Sequence, residues 1–344
     1  MELKAALAQL LDGQDLQIHQ MESVMRKLMS GKATQAQIGA ILTALRMKGE
    51  SLDEVTAAVQ VMRSLVTPVW LDDKSKLVDT CGTGGDGANT FNISTASAFV
   101  VAAGGGIVAK HGNRSISSNC GSADVLEAAG VILSLTPEQV AESINETGVG
   151  FMFAQSHHSA MKHVLSARRE MGVRTIFNMI GPLTNPAKAQ FQVLGVYEKS
   201  LTTLFANVLK RLGSNHVMVV HAEDGLDEIS IASRTFVAEL KNGEVTEWVI
   251  DPAEHDMQHE NLANISVSCA VESIGIIQSV FANQEGAAKD IVCLNAGASL
   301  YVLGLANNYA EGVQLAKKII EDGSAQAKLD QFIAKTRSFE VVSQ

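Results

Sequence analysis

The chain has only four cysteines, Cys81, Cys120, Cys269 and Cys293, far apart and with no C-x-x-C pair. That spacing excludes a disulfide framework or a thiolate zinc site and leads to an expectation of reduced, packed thiols. Basic clusters are missing as well. The net charge is −10 and the pI near 5.4, which argues against nucleic acid and anionic membrane as partners. The longest uncharged apolar stretch, Ala96 to Ala109, is too short and too rich in glycine to span a bilayer. The opening MELKAALAQLLDGQ carries Glu2 and Asp12 and no basic n-region, so no secretory signal is read there and a cytoplasmic location is expected. Proline is rare, five in 344 residues and none before Pro68, which leaves loops a freedom that proline would remove. No G-x-x-x-x-G-K-[ST] occurs, so a Walker phosphate loop is excluded, and His157, His158 and His163 lack H-E-x-x-H spacing. These three, and His255 and His259 in a polar stretch, are expected to be packed or solvated and not metal ligands.

At 46% apolar and 19% charged, a chain of this length is globular, with room for one large domain and a smaller one. Residues 1–66 read as helices, stopped at Gly13, Gly31 and Gly49 and started by the capping boxes Thr34-x-x-Gln37 and Ser51-x-x-Glu54. Met21, Met25, Leu28 and Met29 share one helix face, and Ile38, Ile41, Leu42 and Leu45 another. Such faces make either a small helical core or a subunit interface. Beyond residue 67, short apolar runs alternate with amphipathic ones, the pattern of an α/β domain. Strands are predicted at 77–81, 107–109, 149–153, 191–197 and 216–221, with a type I′ hairpin at Lys241-Asn242-Gly243-Glu244. A helix is predicted from Ser122 to near Gly130, another from Thr136-Pro137-Glu138, and a continuous one over 157–171.

The chain is organised around residues 78–130, which hold ten of its 28 glycines. A glycine turn exposes several N–H groups at once, and a helix starting after it adds partial positive charge, so an anionic phosphate is the natural occupant. Gly82-Thr83-Gly84-Gly85-Asp86-Gly87 satisfies G-x-G-x-x-G but fails the further demands of a dinucleotide site. Six residues, Ala88 to Ile93, separate the last glycine from the helix, which is expected over Thr95–Ala103 with Asn92 or Ser94 as its cap. Where an acid should meet the ribose, the second strand instead ends in Lys110. Lys110 and Arg114, beside Ser115, Ser117 and Ser118, suit phosphate oxygens. Asp227-Glu228 is an adjacent acid pair just past a predicted strand, a set that could serve Mg²⁺ with phosphate oxygens completing its shell.

DTCGTGGDG, NTFNIST, KHGNRS, GSADVLE, RTIFNMIGPLTNP and GLDEIS, in that order along the chain, resemble the anthranilate phosphoribosyltransferase family. The resemblance covers nearly the whole length. It implies an α/β fold with a small N-terminal helical domain, residues 1–66 and part of 172–190, and a large domain, 67–344, with a central mixed sheet flanked by helices. It further implies transfer of the phosphoribosyl group of phosphoribosyl diphosphate to the amine of anthranilate, two Mg²⁺ ions, and a homodimer joined through the helical domain.

By the same resemblance, the diphosphate donor meets Gly82, Gly85, Asp86, Thr90, Asn92, Ile93, Ser94, Thr95, Lys110, His111, Gly112, Asn113, Arg114, Ser115, Ile116, Ser117, Ser118 and Ser122. Anthranilate meets Gly82, Asn113 and Arg168. One magnesium falls to Ser94 with Glu228, a second to Asp227 with Glu228. No residue is assigned as acid or base, His111 included, because an aromatic amine is already neutral at pH 7. Where members of the family usually carry prolines this chain has Gln155, Ser159 and Ser166, and Asn119-Cys120 stands where they usually read Lys-Ser. A pyrimidine nucleoside phosphorylase, which would carry K-x-S-x-R where this chain reads Lys110-His-Gly-Asn-Arg114, and a non-enzymatic nucleic-acid-binding relative are the alternative readings.

Overall fold

A computed structural model describes residues 1–114 and 120–341. Four helices open the chain, α1 (Leu3–Leu11), α2 (Ile18–Met29), α3 (Gln35–Lys48) and α4 (Leu52–Leu65). Both expected capping boxes form. A third, Gln17 with Gln20, escapes a sequence reading because glutamine is not a preferred cap. Glu54 extends the second box into the interior, where its carboxylate accepts from the Leu16 N–H at 2.9 Å and from Lys48 Nζ at 2.9 Å. The methionine face of α2 and the aliphatic face of α3 are buried within this unit, so they are core and not a free interface. Leu11, Ile18, Met47 and Leu65 are the large apolar side chains these helices leave exposed.

The rest of the chain builds a seven-stranded sheet from β1 (Leu77–Gly82), β2 (Ile107–Gly112), β3 (Val149–Phe153), β4 (Phe191–Gly195), β5 (His216–Ala222), β6 (Thr235–Lys241) and β7 (Glu244–Ile250). The order is β3-β2-β1-β4-β5-β6-β7. The first five strands are parallel, β6 pairs antiparallel with β5 and β7 antiparallel with β6, so the sheet is mixed. Asn242 and Gly243 both take positive φ, 53° and 77°, as the hairpin turn requires. The chain winds outward through β2 and β3, then returns to the far side of β1 with β4. The reversal places a crevice outside the carboxyl ends of β1 and β4, where Gly82 and Gly195 lie side by side.

Period-two alternation divides the residues of β5 between two cores, while Leu77, Ala109 and Met152 of β1 to β3 belong to a third. Met218 and Val220 face α5 (Ile93–Ala103) and the later helices, where Phe99 packs on Phe281 and Phe332. Val217 and Val219 face the other way, into the core that α11 (Ser200–Arg211) shares with the N-terminal helices. Each fully buried side chain of this size contributes roughly 1.5–3 kcal/mol. The remaining helices are α6 (Ser122–Ala128), α7 (Pro137–Thr147), α8 (Ala154–His157), α9 (Leu165–Met171), α10 (Ile176–Ile180), α11 (Ser200–Arg211), α12 (Ala270–Phe281), α13 (Ala287–Val302), α14 (Tyr309–Glu321) and α15 (Ser324–Val341). Ile176, Phe177, Met179 and Ile180 of α10 join the core of the N-terminal helices. No helix among the described residues is long and apolar enough to cross a membrane.

Several expectations are corrected. The predicted helix over 157–171 is three pieces, α8, a 3₁₀ turn at Ser159–His163, and α9. His157 exchanges backbone and ring hydrogen bonds with Thr67, at 2.9 and 2.8 Å, and this distant tie breaks the helix. Cys269 is exposed, whereas the other three thiols are buried. His259 is not a solvated loop residue, because its Nε2 pairs with Asp290 at 2.7 Å; His255 packs edge-on against Tyr309.

Candidate active site

The crevice is an open cleft of about 760 Å³. Its floor is the glycine loop that follows β1. Gly84, Gly85 and Gly87 have φ of 66°, 78° and 75°, left-handed values at which other residues are strained. Gly82 and Gly195 serve a different need, close approach. A Cβ at either would strike Asp227, so two side-chain-free strand ends let the acidic loop fold over the sheet and reach the glycine loop. The contact is direct, because the Gly84 N–H donates to Asp227 Oδ2 at 2.6 Å.

Glu228, next in the chain, accepts from the Ser94 N–H at 3.1 Å. Helix α5 begins at Ile93, two residues earlier than expected, and neither Asn92 nor Ser94 caps it by its side chain. The amide of Asn92 is occupied by Cys120 and Ser273. A carboxylate 134 residues away supplies the negative group that the helix start favours.

Behind the acids, Lys110 is buried in β2, and its Nζ donates to the Thr80 carbonyl and to Ser94 Oγ. Burial lowers its pKa. Glu228 titrates at about 7 chiefly because of burial, with Lys110 partly offsetting it. Asp227 is raised well above the usual carboxylate range by burial and by the charges of Asp86 and Glu228. Three acids thus converge on one spot with one buried lysine among them.

This excess of negative charge fits a hard divalent cation, which needs one or two carboxylates and takes its other ligands from water and phosphate. A tighter cluster of metal-type donors lies deeper, at Asp79, Cys81 and His111. It fits a cation poorly. Asp79 Oδ2 is already hydrogen-bonded to His111 Nδ1 at 2.5 Å, and His111 Nε2 lies 3.0 Å from the Gly181 carbonyl. Burial opposes charge on both partners, yet their mutual attraction prevails, so Asp79 is lowered and His111 raised. Both ring nitrogens of His111 are therefore engaged within the fold.

Of the residues singled out in the sequence, Gly82, Gly85, Asp86, Thr90, Asn92, Ser94, Lys110, His111, Gly112, Asn113, Arg114, Ser122, Arg168, Asp227 and Glu228 line the cleft. Ile93 and Thr95 point into the core instead. Ser115, Ile116, Ser117 and Ser118 lie outside the described residues. The Arg114 guanidinium is not free for phosphate, because Asp124 and Glu127 hold it at 2.7 to 3.1 Å. Arg168, in α9, packs over the Phe177 ring at 5.5 Å and has no carboxylate partner among the described residues. Thr83, Leu165, Arg169, Arg174, Asn178 and Tyr197 also line the cleft and were missed. Thr83, Arg174 and Asn178 lie inside the DTCGTGGDG and RTIFNMIGPLTNP stretches, whereas no local pattern marks Leu165, Arg169 or Tyr197.

The fold and this cleft define the class. Residues 74–326 match the model of the glycosyl transferase family a/b domain, and residues 4–66 that of its helical bundle domain. The chain is 63% identical to the anthranilate phosphoribosyltransferase of Hydrogenovibrio crunogenus, over 98% of this chain and 100% of that one. It is 58% identical to the enzyme of Cellvibrio japonicus, over 98% and 99%. The crystal structure of anthranilate phosphoribosyltransferase from Thermus thermophilus superposes with a TM-score of 0.91 at 39% identity, covering 96% and 99% of the two chains. The Saccharomyces cerevisiae enzyme, solved in complex with PRPP and Mg, gives a TM-score of 0.88 at 24% identity, covering 98% of each chain, a likeness of fold. Within the glycosyl transferases, then, the chain belongs to the anthranilate phosphoribosyltransferase family.

Proposed function

We propose that the chain transfers the 5-phosphoribosyl group of phosphoribosyl diphosphate to the amine of anthranilate and releases diphosphate, a step toward tryptophan. The observation that carries this reading is the meeting of the glycine loop with Asp227 and Glu228 across Gly82 and Gly195. Main-chain N–H groups and acids suited to a divalent cation then face the same diphosphate. Ser94 and Glu228 would hold one Mg²⁺, and Asp227 with Glu228 a second. Bound magnesium supplies charge stabilisation to the departing diphosphate.

The chain's own residues do the rest. The glycine loop, with Asp86, Thr90, Asn92 and the start of α5, orients the diphosphate through hydrogen bonds. Lys110 holds Ser94 and balances the acids. The Arg168 guanidinium takes the anthranilate carboxylate as a fork, and Asn113 with Gly82 lines the approach of the amine. Holding the neutral amine against the anomeric carbon converts an encounter of two molecules into a step within one complex. We further infer that 1–66 with part of 172–190 forms one domain and 67–344 the other, that two chains pair through the helical domain, and that the enzyme works in the cytoplasm.

Anthranilate fluorescence tests the activity. It should decay only when both phosphoribosyl diphosphate and Mg²⁺ are present, with one diphosphate released per anthranilate consumed. No decay, or release of a pyrimidine base from a nucleoside with inorganic phosphate, would reject the reading.

A further inference from the structure

Arg174 has no role in the scheme above. It sits in the short segment between α9 and α10, half-buried, and lines the cleft. Its guanidinium donates to the Gly85 carbonyl and stacks on the Tyr197 ring, 4.0 Å from the ring centroid. Its own carbonyl accepts from Arg46 Nη1 at 2.8 Å, near the end of α3. The Tyr197 N–H, in turn, donates to Thr83 Oγ1 at 3.0 Å.

A loop of left-handed glycines has no side chains to stiffen it, so its shape depends on ties from outside. The first half of the loop is tied by the Thr83 N–H to the Gly195 carbonyl and by the Gly84 N–H to Asp227. Gly85 is tied through Arg174. A peptide carbonyl left bare beside a diphosphate repels it, whereas one capped by a guanidinium is neutralised and brings a full positive charge to the edge of the loop. The aromatic face beneath keeps that guanidinium flat and in place.

We propose that Arg174 is a positioning residue for the diphosphate donor: it caps the Gly85 carbonyl, adds charge at the open edge of the glycine loop, and through Arg46 ties the loop to the helical domain. This rests on the cleft being the phosphoribosyl diphosphate site. It also separates two arginines of the same cleft, Arg168 serving the acceptor and Arg174 the donor.

The test compares wild type with Arg174→Ala and Arg174→Lys in the full-length protein. The readouts are KM for each substrate and calorimetric binding of inorganic diphosphate with Mg²⁺. Losing a charge-assisted bond should raise the donor KM of Arg174→Ala about 10- to 100-fold and weaken diphosphate to a similar degree. The anthranilate KM should stay within about twofold, and Arg174→Lys should recover part of the loss. A donor KM left within about twofold of wild type, or both KM values rising together, would overturn the proposal. If Arg174→Ala does not fold, Tyr197→Leu unstacks the guanidinium while leaving it present; a several-fold rise in donor KM alone supports the proposal and no change overturns it. An inactive wild type that binds no diphosphate would instead remove the functional reading, and this inference with it, whereas an active wild type with an indifferent Arg174→Ala sinks the inference alone.

Discussion

Glu228→Gln should make the protein more stable and far less active. The carboxylate is buried beside Asp227 and Asp86, and its pKa stands at about 7 against an ordinary 4.5. An acid whose folded-state pKa lies above its unfolded value is penalised when ionised. The penalty is absent below the unfolded pKa, grows as pH rises, and is complete above about pH 7. At 1.36 kcal/mol per unit it reaches about 3 kcal/mol. Glutamine keeps an acceptor for the Ser94 N–H and drops the charge; the attraction to Lys110 is already contained in that penalty, but the buried amide NH2 needs a partner of its own, so a gain of about 1–2 kcal/mol remains. Urea unfolding in EDTA should show that gain at pH 8 and little of it at pH 5. Magnesium at a hundred times its dissociation constant should restore about 2.7 kcal/mol to the wild type and much less to the variant, whose turnover should fall at least about 100-fold. A variant less stable than wild type at pH 8 in EDTA would refute the reasoning.

Three further outcomes follow from the same geometry. Asp79→Asn removes the partner whose charge and hydrogen bond raise the His111 pKa against the effect of burial. The raised His111 contributes stability that is complete below about pH 6.5 and lost as pH rises through its folded-state value, and the lowered Asp79 one present above about pH 4; thermal melts at pH 6 should therefore separate variant from wild type more than melts at pH 9. Gly195→Ala sets a methyl group against the Asp227 carbonyl, and about 1–3 kcal/mol of overpacking should appear in urea unfolding together with lost magnesium-dependent turnover. Arg168→Ala should raise the anthranilate KM at least about tenfold while leaving the donor KM within about twofold, measured by initial rates.

What the sequence reveals about this molecule follows the range of the interactions involved. Glycine turns, capping boxes and the 241–244 hairpin are local demands of the backbone, and Gly84, Gly85, Asn242 and the Thr34 and Ser51 caps can be recognised from their neighbours alone. The break at His157 is not local, since it is made by Thr67, 90 residues away. The start of α5 is likewise set by Glu228. Met21, Met25, Leu28 and Met29 show a face but not what covers it, and only the packing shows that the face is core. Gly82 is legible as part of a loop motif, while its partner Gly195 carries no motif and matters because β4 lies beside β1. Arg174 and Tyr197 belong to segments that meet only when the helical unit docks on the sheet. Arg174 opens the RTIFNMIGPLTNP stretch, but nothing local to it or to Tyr197 says that the two meet.

The central claim is that a diphosphate lies on the glycine loop and is shared with the Asp227-Glu228 pair. Its most direct measurement is a crystal grown with phosphoribosyl diphosphate and Mn²⁺, read by anomalous difference density. The expected result is a manganese peak within coordination distance of Glu228 and a diphosphate against Gly82 to Gly87. Donor density elsewhere in the cleft, with the loop and both acids untouched, would contradict the account.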